Sequence, residues 1–141
     1  MSSQEIETEY ANTDFDLRSS VPFDNLHEEL LNSCRVLHYT TGADGKWHAI
    51  IEARHGADSR ARDAEKDIRC IADVLKTLSA RAREELSACE LREFNIGFHC
   101  GDTWAYTHQV PQSIVRMVAD VSCSIAVTLY PKRNAVGPPK I

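Results

Sequence analysis

Phe94, Ile96 and Phe98 alternate with Asn95, Gly97 and His99. A stretch with that period buries one face only as a β-strand, because successive strand side chains point to opposite sides. The same period returns at Phe15 and Leu17 between Asp14, Asp16 and Arg18, at Trp47, Ala49 and Ile51, and at Ile125, Val127 and Leu129. Arg35–Thr41 is a further strand-forming run, rich in Val36, Tyr39, Thr40 and Thr41.

Between these runs the apolar spacing lengthens to three and four, the spacing of a helix face. Leu26 and Leu30, extended by Leu31 and Cys34, follow Asp24, a helix N-cap residue type, with Glu28 and Glu29 near the positive end. Gly42-Ala43-Asp44-Gly45 joins two strand patterns as a hairpin turn. Gly56 breaks the second of these strands. Ile68, Ile71, Leu75 and Leu78 define the core face of a long helix, with Asp58 or Ser59 as its cap. Arg60, Arg62, Asp63, Lys66, Asp67 and Arg69 crowd its polar start. Ser79 offers a second start, so 59–89 reads as one helix or two. Trp104–Val110 reads as a loop or short strand. Pro111 suits a first helical position, and Ile114, Met117, Val118 and Val121 mark that helix's buried face. Pro131 stops the last strand.

The order is therefore β-α-β-β-α-β-α-β. Its first six elements have ferredoxin-like order, and a C-terminal α-β unit adds a strand through a right-handed crossover. The expected class is α+β, with helices mainly on one face of a mixed, mostly antiparallel sheet. Residues 1–12 read as a polar N-terminal arm, 13–131 as a single domain and 132–141 as a tail. A length of 141 residues suits one domain that buries a core without staples. No apolar run reaches membrane-spanning length, and residues 1–20 are acidic and polar. The expectation is a cytoplasmic chain without signal peptide or membrane partner. Five widely spread cysteines without CxxC spacing fit reduced thiols.

Charge is uneven. Residues 1–34 hold eight acids (Glu5, Glu7, Glu9, Asp14, Asp16, Asp24, Glu28, Glu29) and one base, a net of −7 in a chain of −5. Such a segment repels phosphates, so no nucleic-acid partner is expected there. It suits a basic protein partner, although acids also simply keep a domain soluble.

No constellation carries catalytic, cofactor or metal chemistry. His99 and His108, with Cys100 and Asp102 between them, lack compact zinc spacing. His99 and Cys100 are strand neighbours that point to opposite faces, so the imidazole cannot readily activate the thiol. Glu28/Glu29 and Glu84/Glu85 are adjacent on helices and read as solvated faces. Gly97 reads as close packing or a bulge. Trp47 shares the parity of Ala49 and Ile51 and belongs to the core. Trp104 and Tyr106, in a loop with Asp102, have the chemistry of interface anchors.

Four segments, DFDLRSS at 14–20, KWHAIIEA at 46–53, LREFNIGFHCGD at 91–102 and SIAVTLYP at 124–131, together resemble bacterial toxin-immunity proteins of contact-dependent inhibition and other polymorphic toxin systems. The resemblance implies a non-enzymatic cytoplasmic antidote that binds a cognate toxin and occludes its active site or an essential surface. Charge adds that a basic nuclease domain would suit the acids. The partner-binding residues expected on this reading are Glu5, Glu7, Glu9, Asp14 and Asp16 for steering, and Asp102, Trp104 and Tyr106 for anchoring. The alternative is a small enzyme or metabolite-binding domain with a site near His99, Cys100, Asp102 and Tyr106.

Overall fold

The computed structural model describes residues 6–54 and 63–132. Along them run β1 (Glu9–Ser19), α1 (Asp24–Ser33), β2 (Cys34–Thr41), β3 (Trp47–Ala53), α2 (Ala64–Lys76), α3 (Ala80–Ala88), β4 (Leu91–His99), α4 (Gln112–Asp120) and β5 (Ser124–Tyr130). The strands form an open five-stranded sheet in the order β2-β3-β1-β4-β5. All neighbouring pairs are antiparallel except β4–β5, which α4 connects in parallel. The class is α+β with a mixed sheet.

One side of the sheet carries the core. Phe15 lies opposite both Ile51 and Phe94, and its ring sits 4.8 Å from that of Phe94. Leu17, Ala49, Ile96 and Phe98 point the same way. Leu26 and Leu30 of α1, Ile68, Ile71 and Leu75 of α2, Leu86 of α3 and Ile114 and Val118 of α4 close over them in one cluster. Each large side chain buried here contributes about 1.5–3 kcal/mol. Trp47 joins this side half-buried, 5.1 Å from Tyr39.

The ends of several elements differ from the sequence expectation. β1 starts at Glu9, so residues 9–12 belong to the sheet and not to an arm. The register shifts between Tyr10 and Asn12. That bulge turns Tyr10 onto the core side, where its hydroxyl meets Thr13 Oγ1 (2.7 Å) and donates to Asp67. Asp67 is consequently fully buried, although its place in a charged run reads as surface. Upstream of the strand, Asp102 N–H donates to Ile6 O (2.6 Å) and Gly101 N–H to Thr8 Oγ1 (2.9 Å). A Cβ at Gly101 would lie 2.0 Å from Ile6 O, so only glycine permits this crossing.

Asp24 lies inside the first turn of α1, and Phe23 holds the cap position without a side-chain bond. The Tyr39 hydroxyl serves instead, accepting from Phe23 N–H (2.8 Å) and donating to Asp24 (2.7 Å). Leu31 is exposed and Cys34 opens β2. α2 is capped by Asp63, which accepts from Lys66 N–H (2.7 Å); Asp58 and Ser59 lie outside the described residues. The chain breaks helix at 77–79, and Ser79 caps α3 by accepting from Ala82 N–H (3.1 Å). Pro111 precedes α4 and is not its first residue. Trp104–Val110 forms no regular structure. No described helix is long and apolar enough to cross a membrane.

Candidate functional site

The side of the sheet opposite the core is open among the described residues. The bulge near Ala11 restores the phase of β1, so Glu9 joins Asn12, Asp14, Asp16 and Arg18 on this side. Alternation adds His48, Ile50 and Glu52 from β3, and Leu91, Glu93, Asn95 and His99 from β4. Asp14 lies directly across from Glu52 on one flank and Asn95 on the other. Asp16 lies across from Ile50 and Glu93. The centre of the face thus sets carboxylate beside carboxylate on adjacent strands.

Local chemistry tempers this. Asn12 Nδ2 donates to Asp14 Oδ1 (3.2 Å), and Thr128 Oγ1 donates to Asn95 Oδ1 (2.7 Å). Arg35 reaches Glu52 at 3.8 Å. Partial burial raises the Asp16 carboxyl above its ordinary value; a hydrogen bond with Asn95 opposes the rise and Glu93 adds to it. Beside Asp16 lies a shallow hollow of about 470 Å³, with His38, Thr40, His48, Ile50 and Leu91 in its lining. Two further bases sit toward one end: Lys46 and Arg18 reach Glu90 at 2.7 and 3.3 Å, holding its carboxyl below the usual range. At the other end Tyr130 lies 5.6 Å from the His99 ring. A Cβ at Gly97 would meet Asn12 Oδ1 at 2.6 Å and Tyr130 Cε2 at 2.9 Å, so the glycine marks close packing.

The residues expected to bind a partner fall into separate groups. Asp14 and Asp16 occupy the middle of the open face and Glu9 its end, across from His99. Glu7 is exposed beside the crossing at Gly101. Glu5 lies outside the described residues. Asp102 holds the chain together locally, accepting from Ile6 N–H (3.1 Å) and from Lys132, which depresses its carboxyl. Trp104 is fully exposed. Tyr106 packs on Phe98 at 5.3 Å and therefore lies on the core side, away from Asp14 and Asp16. Sequence reasoning missed Glu52 and Glu93. Their signal was parity, since each sits one residue from a buried strand position.

His99, Cys100, Asp102 and Tyr106 do not converge, because His99 faces the open side while Tyr106 covers Phe98 on the other. Among the described residues, no three His, Cys, Asp or Glu side chains form a metal-binding group. The chain matches no known family model, no curated protein and no solved structure.

Proposed function

We infer that this chain acts by binding a basic protein surface through the open face of its sheet. The observation that carries the reading is the like-charge juxtaposition on that face of Asp16 beside Glu93, which raises the Asp16 carboxyl further. Like charges directly across two strands cost the fold stability. A basic surface laid on them converts that repulsion into attraction and speeds encounter. The class is a protein-binding α+β module, and the β2-β3-β1-β4 order with antiparallel pairing supports a ferredoxin-like core to which α4 and β5 are appended.

Within that class the reading is an immunity protein. It is a cytoplasmic antidote that neutralises a cognate toxin, with a basic nuclease domain as the partner that the charge fits. Glu9 carries the acidic field to the end of the face, Glu7 and Glu5 add to the acidic charge of the N-terminal sequence, and exposed Trp104 supplies an aromatic anchor.

The test is growth protection in cells expressing candidate toxic domains from the genes neighbouring this one. The wild-type chain restores growth. A variant carrying Asp14→Lys, Asp16→Lys and Glu93→Lys, folded by circular dichroism, loses protection and binds about 100-fold more weakly, a loss of about 2.8 kcal/mol. Failure of the wild-type chain to protect, or equal protection by the variant, removes the reading. Reversing Glu5, Glu7 and Glu9 slows association in stopped flow and flattens its salt dependence.

A further inference from the structure

β5 is an edge strand of unusual composition. Ser124–Tyr130 carries no charged residue, whereas every other strand carries at least one. The opposite edge, β2, is guarded by Arg35 and by a bulge between Val36 and His38, two devices that discourage strand addition. β5 has neither, and among the described residues no segment pairs with its outer side. Val127 and Leu129 are 57% and 62% exposed.

The direction of its free peptide groups is determined. Cys100 N–H donates to Tyr130 O (2.9 Å), so the peptide groups of Tyr130 face β4. Peptide groups alternate in direction along a strand, and those of Ser124, Ala126 and Thr128 face β4 too. The N–H and C=O groups of Ile125, Val127 and Leu129 point outward.

We propose that β5 pairs antiparallel with β5 of a second copy of this chain, about a two-fold axis at Val127. That register pairs the outward groups of Val127 with those of its own copy, and those of Ile125 with Leu129. Ile125 meets Leu129 on the core side, where apolar faces apolar, and Ala126 meets the uncharged Thr128 on the open side. Two copies of a chain of net charge −5 repel over most of their surfaces, and this strand lets them meet without opposing charge. A basic partner finds no acid on β5 to pair with, which separates this surface from the open face. An axis at the edge of one sheet leaves both acidic faces on the same side of a continuous sheet. Isologous pairing of this kind closes as a dimer.

The experiment is sedimentation equilibrium of the full chain, with Val127→Lys and Val127→Glu alone and mixed. The wild-type chain sediments at twice 15.8 kDa with a dissociation constant in the micromolar range, since strand pairing buries less than the standard interface. Each variant sediments as a monomer, and circular dichroism verifies its fold. Mixing the two restores the dimer, because residue 127 faces its own copy across the axis. Amide exchange then shows Ile125, Val127 and Leu129 protected in the wild-type dimer and open in either variant alone. A wild-type chain monomeric at about 500 μM overturns the proposal. So does a variant that stays dimeric, or folded variants whose mixture stays monomeric.

Discussion

Asp16 is the residue at which stability and the proposed binding pull apart. Its carboxyl is raised by burial, so the protonated form favours the fold and the advantage disappears as pH rises through its folded value. Asp16→Asn should therefore raise stability at pH 7 by up to about 1 kcal/mol, with no gain at pH values where the carboxyl is already protonated. Urea unfolding of both proteins across the carboxylate range measures this. The same substitution should weaken binding to a basic partner. A gain of similar size at every pH would assign the effect to something other than charge. The thiols show a different residue-scale effect. Burial pushes Cys34, Cys89 and Cys123 up to about 11, with Arg54 beside Cys34 and Arg92 beside Cys89 and Cys123 opposing the rise. About one such thiol in ten thousand is ionised at pH 7. Alkylation of these three should be negligible in the native chain and rapid in denaturant, as mass spectrometry of modified peptides would report.

At the scale of elements, helix ends are completed by other helices. Glu85 of α3 accepts from Leu26 N–H and Asn25 Nδ2 at the start of α1, both at 2.7 Å. Glu29 of α1 in turn accepts from Ser79 N–H (2.9 Å) and the Ser79 hydroxyl at the start of α3. Each helix caps the other, and two acids that read as solvated in the sequence become joints. Arginines close the opposite ends. Arg54 donates to Leu31 O and Cys34 O, both at 3.0 Å, and Arg92 donates to Ser87 O (3.2 Å) and Ser122 O (2.9 Å). Ser79→Ala and Glu85→Ala should each cost about 1 kcal/mol, because each leaves helix N–H groups without an acceptor. A double-mutant cycle on Glu29 and Ser79 should show coupling in thermal unfolding, while Glu84→Ala, one residue from Glu85, should change little.

At the scale of the molecule, the two sides of the sheet have different roles. One side buries Phe15, Phe94 and the helices' apolar faces, and this burial supplies the dominant favourable term in stability. The other side keeps carboxylates at its centre, where burial by helices would have been prohibitive. Substitutions there should therefore change binding more than folding, and core substitutions should do the reverse. Ile96→Ala should cost about 2–5 kcal/mol of stability, and Asp14→Asn less than about 1 kcal/mol.

Several features were legible in the residues alone. The alternation of Phe94, Ile96 and Phe98 and the spacing of Ile68, Ile71 and Leu75 determined a strand, a helix and the burial of these six side chains, whereas the same alternation at Val127 and Leu129 marked a strand whose side chains stay exposed. Apolar periodicity records directly which face of an element avoids water. The hairpin at Gly42–Gly45 was also readable, because turn residues act within a few positions of themselves, whereas Ser79 offered a restart without deciding between one helix and two. Features that depend on distant segments were not. The bulge that sends Tyr10 to Asp67, the crossing of Ile6 over Gly101 and the exchange of caps between α1 and α3 join residues far apart in sequence. Strand register decided that Asp14 meets Glu52 and Asp16 meets Glu93. Long-range pairing is set by the simultaneous packing of all the elements, and a local pattern shows only that a strand has a polar side, not whose charge will stand beside it.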